Sequence, residues 1–202
     1  MKAAETIGKQ TSPIAYAQEA RIWEELGRMQ NAQAALKEAW QRGDKDAYTR
    51  LAEMGVAVVS SKETKKAAPA FKAIALDGMP IDSSRLRGKV IVANFWFTGC
   101  GPCKAEIPDL NKLASEFQGK DVVFLAFTPD DDQVLRRFLQ DHPFRYTIVP
   151  DLGKIASAFG VESYPSHLIV NADGKIESML VGAGERRADE LRTVIARLVS
   201  DH

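Results

Sequence analysis

Cysteine is almost absent from this chain: Cys100 and Cys103 are the only two. Two thiols cannot build the disulfide framework of a small secreted scaffold. A chain of 202 residues with 45% apolar content can bury a core without one. Histidine is nearly as scarce. His142, His167 and His202 lie far apart, and together with one cysteine pair they lack the ligand spacing of a structural zinc site. Neither sign of charge is in excess, with 27 Lys+Arg against 27 Asp+Glu, which removes the electrostatic argument for nucleic acid or an anionic membrane surface. No apolar run approaches the length of a membrane span. The opening MKAAETIGKQTSP also lacks the apolar segment of a signal peptide. Two placements are therefore expected: cytoplasmic, or exported with the export segment removed.

What is present divides into two textures. Residues 13–57 read as helix, with Ser12 as cap and Pro13 at the first helical position. Apolar residues recur at Ile22, Leu26, Met29, Leu36 and Trp40, and Gly43-Asp44 breaks the pattern before a second helix carrying Tyr48, Leu51, Ala52, Gly55, Val58 and Val59. Each stripe needs burial against the other, against the rest of the chain, or against a second copy as a homodimer. Residues 1–59 are thus expected as a helical extension. The small, charged stretch from Ser60 to Ala70 reads as a linker, and 71–202 as an α/β domain. In that domain "FKAIALDGMPID" alternates around an Asp77-Gly78 turn, and "KVIVANFWF" and "DVVFLAFTP" read as buried strands. "SHLIV" and "KIESMLVG" flank a turn, and "RADELRTVIARLVSDH" closes as a helix. The expected architecture is βαβ followed by a hairpin and a helix around a mixed central sheet.

The chemistry concentrates in "NFWFTGCGPCKAEIP", Asn94 to Pro108. A buried strand before the cysteines and a helix after them put Cys100 at a helix N-terminus, where unpaired N–H groups and the macrodipole stabilise a thiolate. Gly101 adds no bulk beside the sulfur, and Pro102 suits a first turn. Cys100 can then attack a substrate disulfide, and the more shielded Cys103 resolves the mixed disulfide; reversed, the same steps oxidise a dithiol. A peroxidase of the peroxiredoxin pattern would have Thr three residues before its cysteine. Phe97 stands there for Cys100, and Cys100 itself for Cys103.

These residues resemble the thioredoxin superfamily, and within it the TlpA/ResA-like thiol-disulfide oxidoreductases. The resemblance covers about 71–202. "FWFTGCGPCKAEIPDL" is similar to their active-site strand and helix, "GMPIDSSRLRGKVIVANFW" to their extra N-terminal hairpin, and "FGVESYPSHLIVNADGKI" to the segment holding the superfamily's cis-proline. The resemblance implies a thioredoxin-like fold and a redox-active Cys100–Cys103 disulfide. It also implies a cis Pro165, with Tyr164 beside it offering backbone to an extended substrate. Glu106 would be the acid/base for Cys103, on the same helix side at i+3. Pro108 would kink the helix. Protein disulfides or dithiols would be the substrates and an upstream electron donor the partner, with no cofactor and no metal. The place would be the periplasm or another extracytoplasmic compartment, membrane-tethered in a full-length form.

Three departures stand out. Gly99 replaces the tryptophan that many relatives carry before the first cysteine. Asn94 occupies the position of thioredoxin's buried aspartate and cannot shuttle a proton. The helical extension lies outside the family core. A reductase is the expected function, since Gly-Pro leans toward a reducing couple. The alternatives are a dimeric isomerase using the extension, or a binding module with the cysteines as a redox sensor.

Overall fold

The structure is a computed structural model that describes residues 12–41, 44, 47, 50–51, 66–151, 154–184 and 186–200. The chain divides into two compact units, residues 1–62 and 63–202.

In the first unit, helix α1 (Pro13–Glu25) and helix α2 (Met29–Gln41) form an antiparallel pair. Ser12 caps α1, its Oγ accepting from the Ala15 N–H at 3.2 Å. The break expected at Gly43-Asp44 is met at Asp44, which is not helical and whose Oδ1 accepts from the Ala47 N–H at 3.2 Å; a further break, not expected from the periodicity, falls at Leu26–Arg28. Gly27 takes a left-handed φ of 69° there, and the Arg28 N–H returns to the Trp23 carbonyl at 2.8 Å. This is the helix-stopping geometry that only glycine adopts without penalty. The early turn also reassigns the stripe. Ala20, Ala35, Leu36, Ala39, Ala47 and Leu51 form the core of this unit, while Ile22, Leu26 and Met29 are exposed. Small alanines on facing turns let the helices approach closely, which leaves the bulkier residues at the bend outside. The second expected helix falls mostly outside the described residues.

The second unit begins at an edge. Strands β1 (Lys72–Ile74) and β2 (Pro80–Asp82) pair as an antiparallel hairpin, and a 3-10 turn follows at Ser83–Leu86. The main sheet comprises β3 (Val90–Phe95), β4 (Val122–Thr128), β5 (Thr147–Pro150), β6 (Ser166–Val170) and β7 (Ile176–Val181). Its order is β5-β4-β3-β6-β7. β3, β4 and β5 run parallel, while β6 is antiparallel to both β3 and β7. The helices of this unit are α3 (Gly101–Glu116), α4 (Asp132–Asp141), α5 (Lys154–Ala158) and α6 (Arg187–Ser200). The mixed sheet flanked by helices is the thioredoxin-like arrangement that the motifs implied. Residues 66–70, expected as linker, instead run beside the β6–β7 turn: Ala67 bridges Lys175, and the Ala68 N–H donates to the Gly174 carbonyl at 2.9 Å.

Every residue of β3 is buried, as a central strand with both faces covered requires. On one face, Phe95 and Phe127 stack with centroids 5.3 Å apart, and Phe71 and Phe159 close over them. α3 and α6 cover the other face, to which Asn94 points.

Candidate active site

α3 starts where β3 has just ended, so the chain delivers Cys100 to the helix N-cap directly from the middle of the sheet. Cys100 has extended backbone, φ −80° and ψ 106°, and its Sγ accepts from the Cys103 N–H at 3.2 Å. Gly101 and Pro102 form the first turn, where proline's missing N–H would have had no helical partner. The two cysteines are joined as a disulfide with Cα atoms 5.3 Å apart. Both are buried, Cys100 at 6% exposure and Cys103 at 3%, so Cys100 is the slightly more accessible sulfur residue.

The loop before Cys100 is tied down. Asp130, just past β4, accepts from the Thr98 N–H at 2.6 Å and from the Thr128 hydroxyl at 3.2 Å. A Cβ added at Gly99 would lie 3.1 Å from the Phe97 ring. A side chain at 99 would therefore press on Phe97. The Phe97 ring meets Tyr164 edge to face, centroids 5.5 Å apart at 82°. The Tyr164 hydroxyl is held above the usual phenol range, first by burial and then by the charge of Asp151.

The Tyr164–Pro165 peptide bond is cis. Pro165 is buried at the head of β6, and its carbonyl accepts from the Gly182 N–H at 2.8 Å. Because Phe95 pairs with Ser166, the loop leading to Cys100 and the Tyr164–Pro165 segment adjoin the same end of neighbouring strands. The fold brings together residues more than sixty positions apart.

Glu106 lies one helical turn past Cys103 and is buried at 9% exposure. Its Oε2 lies 3.0 Å from Nε2 of His167, and its Oε1 accepts from the Gly184 N–H at 3.2 Å. His167 is fully buried, and its Nδ1 lies 3.2 Å from Nδ2 of Asn94. Glu106, His167 and Asn94 form one buried chain of polar contacts. The phenol of Tyr146 is pushed far up, by burial and then by the charge of Glu106. Pro108 stands inside α3, where it removes one main-chain hydrogen bond.

His167 and Gly184 are the partners that sequence reasoning missed. His167 carries no motif of its own. The available signal was its position two residues after Pro165 in a strand that pairs with the Asn94 strand, and the register needed to use that signal is a tertiary fact.

Residues 64–179 match the AhpC/TSA family. The thiol-disulfide oxidoreductase ResA of Bacillus thuringiensis (strain Al Hakam) is 30% identical over 135 residues, covering 66% of this chain and 77% of that protein. The thiol:disulfide interchange protein DsbE from Chlorobium tepidum shares the fold, with a TM-score of 0.63 at 24% identity over 67% of this chain and 97% of that one. A secreted Mycobacterium tuberculosis disulfide oxidoreductase homologous to E. coli DsbE superposes with a TM-score of 0.56 at 28% identity, covering 63% of this chain and 96% of that one. The chain belongs to the AhpC/TSA family of thioredoxin-like proteins, and its relatives there are the ResA thiol-disulfide oxidoreductases.

Proposed function

We propose that this protein reduces disulfides in protein substrates by thiol–disulfide exchange in an extracytoplasmic compartment. The observation that carries this reading is the cysteine pair at the N-cap of α3, with the Cys100 sulfur accepting a main-chain N–H. An N–H donor and a helix N-terminus favour thiolate over thiol. The reaction begins from the reduced protein. The Cys100 thiolate attacks one sulfur of the substrate disulfide, forming a mixed disulfide and expelling the other substrate sulfur as thiolate, which takes a proton from water. Cys103 loses its proton to Glu106 and attacks Cys100. The Cys100–Cys103 bond forms, the mixed disulfide breaks, and its electron pair leaves on the second substrate sulfur. Two electrons have moved from protein to substrate, and a donor dithiol restores them by the reverse exchange.

Tyr164 and Pro165 serve as the substrate edge in this reading. Proline offers no N–H near the sulfur, and the backbone at Tyr164 pairs with an extended peptide as an added strand. The aromatic rim of Phe97 and Tyr164 favours an apolar side chain beside the substrate cysteine. Extracytoplasmic placement is supported by the secreted M. tuberculosis relative. Among the described residues no helix is long and apolar enough to cross a membrane.

The test is insulin reduction with dithiothreitol as electron donor. Cys100→Ala should reduce turnover to the uncatalysed rate. Cys103→Ala should instead trap the mixed disulfide, visible as a mass adduct on Cys100. Undiminished turnover in Cys100→Ala overturns the reading.

A further inference from the structure

We propose that Asn94 and His167 act together as a tautomer lock that holds an Nε2–H toward Glu106 and positions it as the base for Cys103. The inference rests on the reading of Glu106 as the acid/base group and adds the residues that position it.

The geometry runs from the sheet upward. Asn94 on β3 and His167 on β6 are direct partners in the antiparallel register, so both side chains stand on the same face. α3 covers that face and brings Glu106 to the far side of the imidazole. The Asn94 amide turns its Nδ2 to Nδ1 of His167 at 3.2 Å and leaves its Oδ1 buried without a hydrogen-bond partner among the described residues. An NH₂ group only donates, so in this orientation Nδ1 presents its lone pair. The single proton of the neutral ring is then on Nε2, aimed at Glu106 Oε2 at 3.0 Å. The Gly184 N–H supplies a second donor, to Oε1 at 3.2 Å. Each carboxylate oxygen thus has its own N–H donor, which fixes the orientation of Glu106 on α3.

The other groups facing this site complete the account. From α3 there is Cys103, the proton donor. From the segment before β5 there is Tyr146, neutral, since burial and the Glu106 charge push its phenol up. The buried Arg187 at the start of α6 is committed elsewhere, its guanidinium engaged by Glu190 at 2.6 Å and by the Val181 and Gly182 carbonyls at 3.3 and 2.6 Å. The lock gives Asn94 a role of its own rather than that of a lost aspartate. A carboxylate at position 94 would accept instead of donate and call for a proton on Nδ1. With Nε2–H kept for Glu106, the ring would become an imidazolium. His167 acts through Glu106 and is a positioning residue.

The step served is the second one. The S–H bond of Cys103 breaks, its proton passes to the Glu106 carboxylate, and the thiolate attacks Cys100 while the electron pair of the mixed disulfide leaves on the substrate sulfur. The proton returns when a donor dithiol reopens the disulfide.

The experiment is single-turnover release of a labelled peptide thiol from the Cys100 mixed disulfide, followed against pH. His167→Leu removes a donor and should slow release about tenfold. His167→Gln restores an N–H donor without a titrating ring and should recover most of the rate. Nitrogen-15 spectra of the unaltered protein supply a measurement free of folding effects, and neutral pH should show His167 with its proton on Nε2. An Nδ1–H tautomer or an imidazolium there, or a His167→Leu profile that overlays the native one, overturns the lock. Glu106→Gln separates the two layers. If its release keeps the native pH profile, the acid/base reading itself fails; if the profile is lost there but unmoved in His167→Leu, only the lock fails.

Discussion

The two faces of the central sheet are made by the same strands and have opposite chemistry. On one face, Phe95, Phe127, Phe71 and Phe159 form an aromatic cluster. On the other, Asn94, His167 and Glu106 form a buried polar chain. Phe95 and Asn94 are consecutive residues, so the alternation of a strand alone sends one to each side. The apolar face gains stability from area removed from water, in no preferred direction. The polar face gains little net stability from its hydrogen bonds, yet each group left unpaired there would cost more than the bond contributes. One face therefore holds the sheet together, and the other holds its polar groups in fixed partnership.

Breaking the apolar face should give the largest loss of stability. Phe95→Ala should cost about 3–5 kcal/mol, read as a lower urea midpoint. The protein that remains folded should keep the native pH profile of substrate release. A changed profile would mean that the faces are not separable. On the polar face, Glu106→Leu strands the His167 and Gly184 N–H groups. It should cost about 1–3 kcal/mol in the same urea measurement while release from the mixed disulfide slows. A loss as large as that of Phe95→Ala would erase the contrast.

The smallest effect belongs to a group on neither face. Asp82, in the edge hairpin, has its carboxyl lowered to about 2 by the Ser84 hydroxyl and N–H and then by Lys72. A lowered folded-state value stabilises the fold above the unfolded value of about 4, and that contribution is lost as pH falls toward 2. The difference in melting temperature between native protein and Asp82→Asn should be small near neutrality and vanish at about pH 2. A difference that persisted in acid would point to packing rather than charge.

Legibility followed chain distance. The strand–cysteine–helix unit lies within fifteen consecutive residues, and its propensities, cap and first-turn proline all agree locally, so the cysteine site was readable directly. The hairpin of β6 and β7 was readable for the same reason, from its Asn-Ala-Asp-Gly turn. The first helical unit was misjudged at Gly27. The apolar spacing ran through that glycine, and only its left-handed backbone in the structure showed why the helix stops there. Pro165 entered through its likeness to a family segment, since nothing local distinguishes it from an ordinary strand-start proline.

The sequence by itself determined where the sulfur chemistry sits, because every feature that activates Cys100 is supplied by its immediate neighbours. It also determined that position 94 cannot carry a proton. Only the tertiary structure decided what replaces that function. His167 reaches Asn94 across 73 residues and Glu106 across 61. Those contacts arise because strand register and the placement of α3 are set by packing of the whole sheet. Hydrogen-bond partners so far apart leave no periodic trace, and an isolated histidine in an apolar strand acquires its role only when the neighbouring strand is laid beside it.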